Sequence, residues 1–412
     1  MNNIFFKNFS DFNKEIKIIA LITLINRMGT VVVPFLSKYL KEDLNLTYSQ
    51  VGWIMVSFGL GSLIGTFISG KLSDYFGAYK IMVFSLFTSG VVFIMLRYVK
   101  TFELLCLSVF FLTAIADMYR PAMMLTVNNY VNKDMRLQSL SLIRAATNLG
   151  LVVGPVLGAY LILNDGYDTL FLVDGITCIL AIVLFAILVK ERKYLYKLNL
   201  VNQKQDKLAP LKDLPFIFNW VIAMITGYLF FQVFSILPIY HKAAFKLTEF
   251  DSGMFLAFSG LLYILFEISV VNFVQKNKIG DLIAVMIGLL FIGFSYGLLF
   301  LIHQPWVFWV FMFLITFGNM LTFTFASGFV MKRSHKNHEG IFMSAFQMSY
   351  GFAHLISSKT GLTIIQNYDF DANWTFNMIL AVVGAFSTYL VFLMVKKEKE
   401  EIKQKIAMTL FK

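Results

Sequence analysis

Apolar residues in this 412-residue chain run in blocks, not at the alternating spacing of a strand or the three-to-four spacing of a half-buried helix. About twelve blocks are long enough to cross a bilayer: 18–40, 48–70, 80–99, 103–129, 138–163 and 168–189, then 215–240, 249–274, 281–303, 305–331, 340–364 and 373–396. A hydrocarbon core of about 30 Å takes roughly 20 helical residues, and a helix satisfies its own backbone hydrogen bonds there. The pattern therefore predicts an all-α, multi-pass membrane protein of twelve transmembrane helices.

One long polar stretch, Glu191 to Leu214, interrupts the series after the sixth block. The expected organisation is a six-helix bundle over 1–190, a linker over 191–214, a second six-helix bundle over 215–396 and a tail over 397–412. Lys and Arg concentrate in the termini, the linker and alternate loops. The opposite loops hold only Lys38, Lys41, Arg97, Lys100, Lys242, Lys246 and Lys359. By the positive-inside rule both termini are expected in the cytoplasm, in a plasma (inner) membrane.

Composition sharpens this picture in two ways. Charged residues are 14% against 58% hydrophobic, and the net charge of +11 sits in short loops, where its natural partner is the anionic inner leaflet and not nucleic acid. The N-terminal 1–17 segment alternates Phe and Ile with Asn and Lys, without the features of a cleaved signal, and is expected to lie at the interface. Cys106 and Cys178 both fall inside blocks and predict no disulfide framework.

The chain also echoes itself at an offset of about 201 residues. Thr47–Gly52 answers to Thr248–Gly253, Gly59 to Gly260, and near that offset Pro34 to Pro238 and Asp117 to Asn319. Such an echo is the sequence form of two parallel transporter repeats with a substrate site between them. In the fifth block, Gly150, Gly154, Pro155 and Gly158 strip one helix face of side chains, so that a neighbour can approach closely and the helix can bend at the proline.

Two motifs resemble those of the major facilitator superfamily. Gly70-Lys-Leu-Ser-Asp74-Tyr-Phe-Gly77 is similar to its signature loop between the second and third helices, although Ala78 and Tyr79 stand where a basic pair is usual. Gly150-x-x-x-Gly154-Pro155-x-x-Gly158 resembles the motif of its antiporters. The resemblance implies rocker-switch alternating access, with Gly70, Asp74, Gly77, Gly150, Gly154, Pro155 and Gly158 in gating roles.

Ionisable residues inside the blocks are the candidate chemistry. Burying a charge mid-membrane costs at least about 2.5–3.5 kcal/mol on insertion scales, so such residues normally face a wet cavity or a partner. Arg27, Arg120 and Arg144 are expected to line a central cavity. Asp117, three residues from Arg120, would neutralise only one of them and leave positive charge for an anionic or zwitterionic cargo. Asn148 can share a face with Arg144. Asn26 adjoins Arg27, but successive residues point about 100° apart, so the two compete for the cavity. Asp174 reads as a structural partner or cap.

Glu267 has no Lys or Arg in its block and is expected to carry the coupling proton, beside Tyr263, with Asp117 as second candidate. Tyr228 and Gln232, Asn319, and Gln347, Tyr350 and His354 complete the cavity list. Gly65–Leu72 nearly spells a phosphate-binding loop but ends a helix and lacks the Ser or Thr for magnesium. His335 and His338 lack a zinc-spaced partner set. Asn45 and Asn373 open short glycosylation-like triplets, of a kind that arises by chance.

The sequence thus points to a secondary transporter and not an enzyme, without cofactor or metal, expected as a monomer and taking a small-molecule substrate and protons. Proton-coupled export of a small amphiphilic drug or metabolite is the leading expectation. A proton-linked importer of an anionic or zwitterionic solute is the alternative, and a non-transporting membrane receptor or scaffold the alternative of another class.

Overall fold

The structure is a computed structural model and describes residues 12–131, 136–192, 209–334 and 339–410. All its regular elements are helical: α1 Lys14–Gly29, α2 Tyr48–Phe76, α3 Ala78–Leu96, α4 Phe102–Ala116, α5 Tyr119–Asn128, α6 Arg136–Asp165 and α7 Asp168–Leu188 come first. Then follow α8 Leu214–Ser235, α9 Leu237–Phe245, α10 Glu249–Lys276, α11 Asp281–Leu301, α12 Val307–Arg333, α13 Glu339–Asn367 and α14 Phe370–Leu410. Mid-helix apolar side chains such as Phe67, Leu180, Phe294 and Phe386 are more than half exposed. Large apolar surfaces of this kind need hydrocarbon, not water, around them.

Eleven segments among the described residues are long and apolar enough to cross a membrane, against the twelve expected. The block at 340–364 forms α13, which has the length at 29 residues. Gln347, His354, Ser357, Ser358 and Lys359 dilute its apolar character. The helix α14 continues to Leu410, well into the stretch read as a tail.

Three blocks read as single helices are broken. The first ends at Gly29 and resumes as a 3-10 turn at Val33–Phe35, with Pro34 early in it, then a π turn at Tyr39–Asp43. The fourth breaks between α4 and α5 at Asp117 and Met118, and the seventh breaks before Pro238. Hydropathy hides such breaks because the apolar run continues through them. Conversely, α6 carries Pro155 without interruption.

Contacts divide the chain into two compact units: Met1–Asn199 with Phe234–Ile264, and Leu200–Val233 with Leu265–Lys412. In the first unit, close-approach glycines set the packing. Cβ atoms at Gly61 and Gly65 of α2 would collide with Phe110, Thr113 and Ala114 of α4, and one at Gly90 of α3 would meet the Gly175 carbonyl of α7 at 2.8 Å. The face of α6 bearing Gly150, Gly154 and Gly158 lies on Arg27 to Phe35. Another side of α6 receives Gly253 and Gly260 of α10, against Pro155, Ala159 and Val152.

In the second unit, α11 packs on α12 through Gly288 and Gly318 and on α14 through Gly293 and Ala381. Arg333, ending α12, donates to both Asp213 oxygens at 2.7 Å and to Glu398 of α14 at 2.9 and 3.0 Å.

The echoed segments share local structure. Thr47 and Gln50 form a reciprocal capping box at the start of α2, and Thr248 and Asp251 do the same at the start of α10. Two residues before each box, Asn45 and Lys246 take left-handed backbone with φ of 52° and 55°. The same offset links Gly77 and Lys278, with φ of 94° and 54°.

Candidate functional site

The first unit contains a cavity of about 110 Å³. Its polar lining comes from α1 (Asn26 and Arg27), the break between α4 and α5 (Asp117 and Arg120) and α7 (Asp174 and Cys178). Each position has a local cause. Gly150 leaves room where its own Cβ would overlap that of Arg27, so α1 seats deeply on α6 and the guanidinium reaches the cavity. The α4–α5 break frees backbone carbonyls, and serines from neighbouring helices satisfy them. Ser85 Oγ donates to the Ile115 carbonyl at 2.6 Å, and Ser69 Oγ to that of Met118 at 2.7 Å.

Two carboxylates face two guanidiniums here. Asp117 sits beside Ser62 and in the fields of Arg27 and Arg120. Asp174 accepts the Val32 N–H at 3.3 Å, contacts Cys178 Sγ at 3.9 Å, and also feels Arg27. Asn26 Nδ2 donates to Cys178 Sγ at 3.2 Å. The cavity lining thus holds two carboxyl groups beside two guanidiniums, where the sequence reading set Asp117 alone against the arginines. Asp174, read there as a structural partner or cap, also lines the cavity. Its signal was available: a carboxylate inside an apolar block carries the same insertion cost as Arg27. Asn26 and Arg27 both line the cavity because α1 ends two residues later, at Gly29, and its last turn enters the wall. Asp117 and Arg120 meet across a helix break and not on one continuous face.

Other expected residues are distributed differently. The side chains of Arg144 and Asp74 lie outside the described residues, as do His335 and His338. Asn148 is partly buried. Gly154 meets the Arg27 and Met28 carbonyls at 3.1 and 3.5 Å, and Gly158 meets Val31 and Phe35, both at 3.1 Å. Gly70 has open space around it, so nothing presses on that position of the signature loop, whereas Gly77 takes a backbone that only glycine adopts easily. Cys106 and Cys178 are free thiols.

In the second unit, Gln232 donates to the Ser357 carbonyl at 2.9 Å and accepts from Asn373 at 3.3 Å. It ties helices together, and Asn373, fully buried, is no glycan acceptor. Tyr228 is buried, and its carbonyl accepts from Ser357 Oγ at 2.8 Å. His354 packs edge-on against Phe231, and Tyr350 against Phe323 and Phe346. Asn319 is buried on α12, while Gln347 is exposed. Glu267 is partly buried and has a partner. Tyr263 is likewise partly buried and partnered.

Comparison with known proteins adds the following. The family profile of the Major Facilitator Superfamily matches residues 19–358. A Na(+), Li(+), K(+)/H(+) antiporter of Planococcus maritimus is 20% identical over 409 residues, spanning 92% of this chain and 94% of its own. A 4-hydroxybenzoate transporter, PcaK, of Pseudomonas aeruginosa is 25% identical over 194 residues, covering 46% of this chain and 43% of its own. Among solved structures, the nucleoside transporter NupG superposes with a TM-score of 0.75 at 15% identity over 92% of this chain and 99% of its own. A POT family transporter superposes with a TM-score of 0.77 at 15% identity over 95% of this chain and 98% of its own. At those identities the superpositions establish the fold.

Proposed function

Because the chain belongs to the major facilitator superfamily, we propose that it is a proton-coupled antiporter that exports a small solute by alternating access. In this reading α13 supplies the twelfth span, the two echoing halves are six-helix repeats, and both termini face the cytoplasm of a plasma membrane. The observation that carries it is the cavity lined by Asp117, Asp174, Arg27 and Arg120, in which both carboxyls lie in the field of Arg27. A carboxylate that gives up its guanidinium partner on protonation, and regains it on deprotonation, couples a proton to a rearrangement of charge. Glu267, partnered and partly exposed, becomes the second candidate for the proton.

The second carboxyl, Asp174, beside the guanidiniums weakens the case for an anionic cargo. A small amphiphilic drug or metabolite remains the leading substrate class. A monovalent cation is the second reading: two carboxyl groups of the cavity would supply ligands, and a cation/proton antiporter resembles the chain along nearly its whole length.

The test is exchange in proteoliposomes with an imposed pH gradient, scoring proton flux on addition of Na⁺, K⁺ or a lipophilic dye. Wild type should show cargo-dependent flux, and Asp117→Asn and Asp174→Asn should lose it while remaining inserted. Proton flux that no cargo elicits, or full flux in both variants, overturns the proposal.

A further inference from the structure

Away from the cavity, the first unit contains a second charged cluster that the transport reading does not use. Lys38, in the short turns after α1, is fully buried. Its ammonium meets Glu249, the first residue of α10, at 2.9 Å, but at an angle that makes no aligned hydrogen bond. Tyr167 donates to the same Glu249 oxygen at 3.2 Å. Burial, and then the Glu249 carboxylate, push the Tyr167 hydroxyl up, so it remains a donor. Glu42 and Lys242 act on this pair, and His241, bonded through Nδ1 to Ser252 Oγ at 2.8 Å, lies near Lys38.

Beyond Tyr167, whose ring packs on Tyr39, Lys100 reaches the Tyr39 hydroxyl and Asp168, both at 3.0 Å. Burial pulls the Lys100 ammonium down, but these two hydrogen bonds outweigh it and the net shift is upward, so that outer part of the cluster keeps its charge as pH rises.

The position of the pair gives it leverage. Phe234–Ile264 clusters with the first unit although the chain on either side of it belongs to the second. Lys38–Glu249 is an ion pair that ties that segment to the turns at 33–43. Breaking a buried pair by neutralising one member leaves the other charge uncompensated, and for a lysine with no exposed surface the relief is hydration.

We infer that Lys38 and Glu249 form a proton-released latch: protonation of Glu249 leaves the Lys38 ammonium without its counter-charge, and the start of α10 parts from the 33–43 turns to let water reach it. The inference rests on the reading that this chain moves protons, and it adds the group at which a proton opens this end of the first unit. No bond is made or broken beyond transfer of one proton from water to the carboxylate.

Ser37, fully buried beside Lys38, is the reporter. In the full-length protein carrying Ser37→Cys, maleimide labelling at residue 37 is read by peptide mass, and each further variant is compared with this parent at the same pH, which cancels the thiol's own pH dependence. At about pH 8 the Glu249→Gln variant should label at least about tenfold faster than the parent, and at about pH 3, below the range in which a carboxylate paired with an ammonium keeps its charge, the ratio should fall towards one. Lys38→Met with Glu249→Leu, which removes both charges, should label no faster than the parent at either pH.

An unchanged rate for Glu249→Gln at about pH 8, or a ratio that does not move with pH, overturns the latch. So does loss of the pH effect in His241→Asn, which would make the histidine the titrating group. Labelling needs neither cargo nor gradient. A latch response in a protein without proton-coupled flux therefore refutes the antiport reading alone, and flux without a latch response refutes the latch alone.

Discussion

Placing a methyl group at Gly150 is the sharpest available test of how the cavity is built. A Cβ there overlaps the Cβ of Arg27 and approaches the Arg27 carbonyl carbon and Met28 nitrogen at 3.0 and 3.1 Å. Two of these atoms are backbone, so no rotamer change relieves the contact and α1 must move off α6. Overpacking of this kind costs about 1–3 kcal/mol, offset by about 0.5–1 kcal/mol of helix preference for Ala over Gly, leaving a net loss of about 0.5–2 kcal/mol. At about 2–4 °C per kcal/mol for a unit of this size, Gly150→Ala should melt about 1–8 °C below wild type by tryptophan fluorescence in detergent. Cargo-dependent proton flux should fall further than that loss explains, because Arg27 moves with its helix. Gly70→Ala is the control: nothing lies within 4 Å of its Cβ position, so its melting point should equal or slightly exceed wild type. If Gly150→Ala melts and transports like Gly70→Ala, the glycine face does not seat Arg27 and the account of the cavity fails.

Two further outcomes follow from the ends of the helices. Arg333→Lys cannot span Asp213 and Glu398 at once, so it should lose about 1–3 kcal/mol and lower the melting temperature, while Lys332→Arg, at an exposed pair with Asp281, should not. For topology, cysteine at Asn202 should label only from the cytoplasmic side and cysteine at Asp165 only from outside; reversed labelling refutes the proposed orientation.

Most of the fold was legible because the bilayer imposes one requirement on every span, and block length meets or fails it. What stayed hidden were the breaks at Gly29, Asp117 and Pro238. A break needs backbone partners, and those come from serines on other helices, such as Ser69 and Ser85, whose roles no local pattern announces. The echo of Thr47–Gly52 in Thr248–Gly253 was legible to the level of hydrogen bonds, since a capping box is a local device. The charged site was half legible: insertion cost flags every ionisable residue in a span, but only packing decides which of them meet. Thus Asp174 joined Arg27 in the cavity lining, whereas Glu267 is not among the residues that line it.

The repeat offset also bears on where the coupling lies. Moving about 201 residues on from Arg27 reaches Tyr228, in a buried network of Gln232, Ser357 and Asn373 built from neutral groups. In the first unit the corresponding helices, α1 and α7, bring together Arg27 and Asp174. Similar local frames thus hold charge in one half and amides in the other. A protonation that switches a buried partner requires a group that ionises, and amides and tyrosine hydroxyls near neutral pH do not. A proton carried at this level of the fold is therefore best carried by the first unit, with the second contributing shape and hydrogen bonds. Exchanging the roles gives the contrary expectation: Asn373→Asp, which adds a carboxylate to the neutral network without a guanidinium beside it, should not restore proton flux to Asp174→Asn. Restoration would show that any buried carboxylate in this frame suffices, and the paired arginines would then have no part in coupling.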